Sequence, residues 1–290
     1  MHPAAFDYHR AATVQEAIAL LQEHGDDAKL LAGGHSLLPV MKLHLAEPAH
    51  LIDIGPLADL RGVHADGDTL RIGALTTHTQ IETDPTLRQR CPLLAETAAR
   101  VGDRQVRNRG TIGGTLAHAD AAADYPAAIL ALDAEMIAHG PAGERTIPAG
   151  DFFVGFLTTA LSPDELLTEI RVPASSPPTG ASYQKLANQA SGYAIVGVAA
   201  VVTLDGDGRC ANLRVGITGT GDHAVRATAV EEALRGASLD EATVRAAANA
   251  AGEGIDPLDD LHASAGYRLN VTRGLTRRAL LAAAERARSS

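Results

Sequence analysis

Two glycine pairs constrain this chain more than any other feature: Gly33-Gly34, within Ala32-Gly33-Gly34-His35-Ser36, and Gly113-Gly114, within Thr111-Ile112-Gly113-Gly114-Thr115. Each is read as following an apolar, strand-like run, and each is followed by a hydroxyl residue, Ser36 or Thr115. Without a Cβ, the backbone turns tightly and an anion can approach its N–H groups. Successive N–H groups at such a turn form an anion nest, to which the hydroxyl adds a donor. A single bend of this kind is adequately explained as a structural turn. Two of the same grammar, about 80 residues apart, suggest the two sides of one pyrophosphate. Neither fits Gly-x-Gly-x-x-Gly and neither carries a Walker lysine, which disfavours a Rossmann or P-loop site.

The surrounding pattern is mixed α and β. Thr13 with Glu16 makes a capping-box start for a helix that Gly25 closes, with Ala17, Ile18, Leu20 and Leu21 on one face. Lys29–Leu31 and His50–Ile54 read as strands, and Leu37–Leu45 as a short apolar segment between them. From about 59 to 175, short β-like runs (Thr69–Ile72, Glu135–Ala138) alternate with turns, and Pro92–Val101 and Ala121–Leu132 read as helical. The tandem prolines of Ser175-Ser176-Pro177-Pro178-Thr179-Gly180 mark the best linker, since they stop helices and central strands alike. Beyond it, Tyr193–Leu204 and Ala211–Thr218 read as strands, and Arg226–Arg235 and Leu239–Gly252 as amphipathic helices. A terminal helix is expected within Leu275–Arg288. A chain of 290 residues is long for one core, so two or three packed subdomains are expected.

Charge and cysteine usage narrow the function. A formal charge of −10 repels phosphate backbones, so no nucleic-acid partner is expected. The basic C-terminal end (Arg273, Arg277, Arg278, Arg286, Arg288) reads at helical spacing as a solvated or subunit-facing surface. Cys91 and Cys210 lie in no Cys-x-x-Cys motif and build no zinc or iron–sulfur site of their own. They fit a reducing cytosol better than a disulfide scaffold. With no signal-peptide pattern and no apolar run of roughly 18 residues, a cytoplasmic protein without a transmembrane segment is expected. The 12 histidines do not pair at metal spacing, so no metal ligand is assigned. Neither Gly-x-Ser-x-Gly nor His-Glu-x-x-His occurs, and no catalytic acid, base or nucleophile is named.

Other residues admit two readings. His118-x-Asp120-x3-Asp124 invites a metal reading but brings no further ligands. Asp120 would equally cap the helix after it, and Asp124 could accept hydrogen bonds from a ribose or heterocycle. In a chain with 3% aromatic residues, Tyr183, Lys185 and Tyr193 flank the loop 186–192. Either the tyrosines pack at a subdomain boundary, or the lysine contacts a cofactor while a tyrosine covers an aromatic ring face.

The stretches Ala32–Lys42 and Arg107–Asp120 resemble the two flavin motifs of the FAD-binding subunits of the xanthine dehydrogenase, or molybdenum hydroxylase, family. The likeness is strongest to the aerobic carbon monoxide dehydrogenase branch. It runs over essentially the whole chain, taking in Asp151–Gly155, Leu161–Leu167 and Tyr193–Ala200. It implies an α+β fold: an FAD-binding domain of two α/β subdomains (1–57 and 58–176), similar to vanillyl-alcohol oxidase. A C-terminal domain (177–290) with a three-stranded antiparallel sheet and helices would follow. It implies FAD held by Ala32, Gly33, Gly34, His35 and Ser36 on one side and Thr111, Ile112, Gly113, Gly114 and Thr115 on the other. Asp124 would contact the FAD, Leu161 would lie by the isoalloxazine, Lys185 would approach it and Tyr193 would cover it.

The implied partners are a large molybdenum-cofactor subunit that oxidises substrate and a small subunit with 2Fe–2S clusters, in a dimer of heterotrimers. Electrons would pass through FAD to an external acceptor. The missing cysteine clusters suit that division and argue against the benzoyl-CoA reductase branch. Gly155-Phe156-Leu157-Thr158 departs from the Gly-Tyr-Arg-Lys type of run in the xanthine dehydrogenase branch, which weakens the case for NAD as acceptor. Two other readings stand beside this one. A stand-alone flavin oxidoreductase would need a proton donor of its own, and a non-catalytic scaffold would need occluded glycine bends.

Overall fold

In the N-terminal lobe, Asp7–Arg10 and Ala28–Leu31 both pair in parallel with a central strand, His50–Asp53. The Val14–His24 helix makes the crossover and buries Ala17, Ile18 and Leu21. Thr13 Oγ1 accepts from Glu16 N at 3.1 Å, and Gly25 closes the helix at φ 53°. The Glu16 carboxylate accepts from Ala12 N at 2.7 Å, one residue upstream of the box partner the spacing predicts. The structure is a computed structural model and describes residues 2–176 and 179–290. The proline pair Pro177-Pro178, on which the linker expectation rests, lies outside the described residues.

A five-stranded antiparallel sheet follows, in the order Val63–Asp66, Thr69–Gly73, Leu166–Pro173, Glu135–Gly140, Gly143–Pro148. Its central strand comes last in sequence and slots between two hairpins. Short helices lie between those hairpins, and three of them carry the site: His78–Thr83, Ile112–His118 and Tyr125–Ala131. The second glycine bend leaves the helix Arg104–Arg109, not the strand-like run that its apolar neighbours suggest. The helix expected from Ala121 begins only at Tyr125, so Asp120 is not its cap. Asp120 Oδ1 instead accepts from Ala122 N at 2.9 Å, a local turn that competes with helix, and Pro126 suits a helix start four residues later.

The C-terminal part has the three long antiparallel strands expected, Thr179–Ala187, Ala194–Leu204 and Cys210–Thr218, with a two-residue strand, Val225–Arg226, at the edge. The helix Ala265–Arg288 covers this sheet. It starts ten residues before the expected Leu275, where Ser264 Oγ accepts from Tyr267 N at 3.4 Å. Its first turns bury Arg268 and Thr272, so their inward face shows no apolar periodicity to read. Arg268 donates to Ile195 O (2.6 Å), Gly219 O (2.7 Å) and Asp260 Oδ2 (2.7 Å), which satisfies much of a charge that would otherwise be costly to bury. Among the described residues no helix is long and apolar enough to cross a membrane.

The C-terminal sheet also braces the lobe that carries the second glycine bend. Thr218 Oγ1 sits 2.7 Å from Ala121 O and 2.9 Å from Ala123 O, and Ala194 N donates to Ala122 O at 3.0 Å. These bonds hold the 121–124 turn that presents Asp124.

Candidate functional site: a cavity between two glycine bends

The bends meet. A Cβ on Gly33 would run into the carbonyl of Arg109, and one on Gly114 would stand 3.8 Å from the Cβ of Ala32. Gly33 is therefore required by close backbone approach, whereas Gly34, at φ 77°, is required by its left-handed conformation. The N–H groups of Gly33, Gly34, His35 and Ser36 have no hydrogen-bond partner among the described residues. Ser36 precedes the Leu37–Lys42 helix but its hydroxyl does not cap it. The first bend thus leaves four consecutive N–H donors unspent.

The second bend differs from the first, contrary to the shared nest inferred from the motifs. Ile112 N donates to Thr76 O (3.1 Å), Gly113 N to Ala74 O (2.8 Å), Gly114 N to Thr111 Oγ1 (3.2 Å) and Thr115 N to Thr111 O (3.0 Å). Its donors are mostly consumed in seating the helix Ile112–His118. A Cβ on Gly113 would lie 2.5 Å from that of Ala74, so this glycine serves packing. What remains for a ligand is the bare Cα of Gly114, the Thr115 hydroxyl and the positive end of a short helix.

Both bends line one cavity of about 490 Å³, together with Asp120, Asp124, His78 and Tyr193. Of the residues singled out by motif, Ala32 to Ser36, Thr111, Gly113, Gly114, Thr115, Asp124 and Tyr193 line it; Ile112, Leu161 and Lys185 do not. Ile112 is fully buried, and Leu161 packs against the central core. Lys185 has its ammonium 2.8 Å from Asp124 Oδ1 and 2.9 Å from Oδ2, with Arg100 O at 2.9 Å. Its side chain is 1% exposed.

Asp124 is consequently a buried carboxylate held by two C-terminal-domain residues, Lys185 and Tyr183, whose hydroxyl donates to Oδ1 at 2.6 Å. Burial raises its pKa, and the ammonium and phenol pull it back down. Tyr193 is 41% exposed at the cavity mouth. Its pKa is raised by burial and by the charge of Asp120, with the Ser36 hydroxyl opposing.

His78 was not legible as a site residue. Burial, and then the nearby His35 and Arg107, lower its pKa to about 4. Its Nδ1 finds no partner among the described residues, and its ring lies 5.3 Å from that of Tyr125. The local signal was the capping box of Thr77 and Gln80, which fixes the helix start but says nothing of the cavity.

The donor set suits an extended dinucleotide: unpartnered N–H groups for a diphosphate, a buried carboxylate for hydroxyl or heterocycle donors, and a half-exposed tyrosine for a ring face. Fold and site together define a dinucleotide-binding protein on an α+β scaffold. Residues 4–175 match the family model of the FAD binding domain in molybdopterin dehydrogenase, and residues 181–283 that of the CO dehydrogenase flavoprotein C-terminal domain. The chain belongs to this family of FAD-binding medium subunits of molybdenum hydroxylases, oxidoreductases whose flavin cofactor is FAD.

It is 43% identical over 283 residues to the carbon monoxide dehydrogenase medium chain of Hydrogenophaga pseudoflava, covering 98% of each. It is 41% identical over 288 residues to the 6-hydroxypseudooxynicotine dehydrogenase complex subunit alpha of Paenarthrobacter nicotinovorans, covering 99% of this chain and 97% of that one. Its backbone matches carbon monoxide dehydrogenase from Hydrogenophaga pseudoflava, solved without the Mo-pyranopterin moiety of its molybdenum cofactor. The TM-score is 0.96 at 44% identity, with 99% of each chain covered. The family and the α+β fold expected from the motifs are borne out.

Proposed function

We propose that this chain is the electron-transfer subunit of a carbon monoxide dehydrogenase-like complex, in which FAD lies across the cavity between the two glycine bends. When bound, FAD supplies the chemistry of collecting electrons from 2Fe–2S clusters of a small subunit and releasing them to an external acceptor. The large molybdenum-cofactor subunit oxidises the substrate, and the whole is a cytoplasmic dimer of heterotrimers. The FAD-binding domain comprises 1–57 and 58–176, and the C-terminal domain 177–290.

The chain's own residues bind and orient. Gly33 to Ser36, next to Ala32, offer unpartnered N–H groups to the diphosphate, and Gly114 and Thr115 close its other side with a bare Cα and a hydroxyl, beside Thr111 and Gly113. Asp124 accepts from the nucleotide or ring. Lys185 holds Asp124 in place and favours its charged form, and Tyr193 bounds the ring. The observation that carries this reading is that the two bends abut and open onto one cavity. The bends are not occluded, as a scaffold role would require.

Gly33→Val is the test. The branched side chain must push Arg109 away and part the bends, and losing one or two charge-assisted hydrogen bonds at about 1.5–3 kcal/mol each weakens FAD binding at least tenfold. Flavin-fluorescence titration measures this, with far-UV circular dichroism confirming the fold. Unaltered FAD affinity in a folded Gly33→Val protein would refute the placement. Copurified partners bearing molybdenum and iron would support the complex, and their absence from the native assembly would count against it.

A further inference from the structure

His9, in the first strand, His24, the last residue of the first helix, and His50, the first residue of the central strand, converge at the rim of the N-terminal sheet. None of them lines the glycine cavity. In the parallel register Asp7 lies opposite His50, so His9, two residues on, points to the same face. The helix crosses that face and brings His24 onto it. One ring nitrogen from each histidine lies within 4.8 Å of the other two, and all three residues are half-buried. The rings of His24 and His50 stack at 3.7 Å and 10°, with the His9 ring 4.9 and 5.3 Å away. His9 Nε2 and His50 Nδ1 are 3.1 Å apart, the spacing of an N–H···N hydrogen bond.

We infer that His9, His24 and His50 form a binding site for one divalent transition-metal ion of the Zn²⁺ or Cu²⁺ class. Two imidazole ligands at about 2.0–2.1 Å from a tetrahedral zinc stand about 3.3 Å apart, so the His9–His50 pair already has ligand spacing. The ion replaces this hydrogen bond, and the proton of the donating ring moves to that ring's other nitrogen. His24 makes no hydrogen bond through either ring nitrogen among the described residues. By contrast, His44 and His223 each face a neighbouring carboxylate, Glu47 and Asp222, at 2.6 Å.

Neutral imidazoles favour zinc, copper and nickel over magnesium or calcium, which prefer oxygen. The stacked rings must fan apart for their lone pairs to converge. Asp7 Oδ2, 4.0 Å from His50 Nδ1 on an 81% exposed side chain, can swing in as fourth ligand, leaving water as the alternative. Such an ion ties two strands and the crossover helix together at the end of the sheet opposite the first glycine bend, stabilising that lobe by mass action.

The untagged full-length chain, stripped with a chelator, is titrated with Zn²⁺ against a chromophoric competitor and separately with Cu²⁺ under electron paramagnetic resonance. One equivalent of Zn²⁺ is expected, with a Cu²⁺ spectrum showing nitrogen ligation. His24→Gln and His50→Gln should each weaken binding by about tenfold or more, as loss of a direct ligand exceeds the 10–100-fold range's lower end for outer-sphere partners. His44→Gln and His2→Gln should leave it unchanged. FAD uptake by each variant reports that the fold is intact. The inference fails if no stoichiometric ion is taken up, if His24→Gln and His50→Gln bind as the parent does, or if His2→Gln alone abolishes binding.

Discussion

Replacing Lys185 with methionine removes the ammonium that compensates the Asp124 carboxylate at 2.8 Å. Both side chains are almost fully enclosed, at 1% and 5% exposure. Breaking a buried pair in this way costs about 3–5 kcal/mol, because one charge is left uncompensated. The loss also carries a pH signature. Burial already raises the Asp124 pKa, with Lys185 opposing most and Tyr183 after it, so removing Lys185 raises it further. A carboxyl whose folded pKa exceeds its unfolded one contributes stability that is complete below the unfolded value, about 3.9, and lost as pH rises through the folded value.

The deficit of Lys185→Met is therefore greatest near neutrality and shrinks as pH falls toward about 4. Urea unfolding followed by circular dichroism, near neutral pH and about two units lower, measures both. Combining Lys185→Met with Asp124→Asn removes both charges, so the double variant should be more stable than the sum of the two single losses implies by about 1 kcal/mol or more. A neutral-pH loss under about 1 kcal/mol, below the range for a broken buried pair, would refute the reasoning. So would a deficit that grows on acidification.

Two further outcomes follow from burial. His78, held near pKa 4 by burial against an ordinary 6.5, contributes stability that is present above 6.5 and lost as pH falls toward 4. His78→Gln should flatten the melting-temperature profile across that window, and an unchanged slope would rule out this origin. The Cys91 thiol is pushed up to about 12 by burial, and Cys210 is raised for the same reason. Neither should react with an alkylating reagent in the native chain at mildly alkaline pH, while both label in denaturant. Mass spectrometry distinguishes the cases, and fast labelling of the native protein would contradict the enclosed geometry.

The sequence by itself determined the local pieces. Thr13 and Gly25 delimit a helix, the strands at 28–31 and 50–53 follow from short apolar runs, and the glycine pairs at 33–34 and 113–114 become bends. These depend on neighbours within a few residues, which the chain spells out directly. The long motifs also carried the family and hence the α+β architecture.

Only the tertiary structure decided which of two similar bends keeps free donors. Gly113 N is spent on Ala74 O, a choice set by how one helix seats against a distant loop. It alone paired Asp124 with Lys185, brought His9, His24 and His50 to one rim and slotted Leu166–Pro173 between earlier hairpins. Each of these depends on contacts between residues far apart in the chain. Whether a polar group is satisfied or a charge compensated is a property of the assembled interior, where burial makes the difference worth several kcal/mol, and local residue preferences do not encode it.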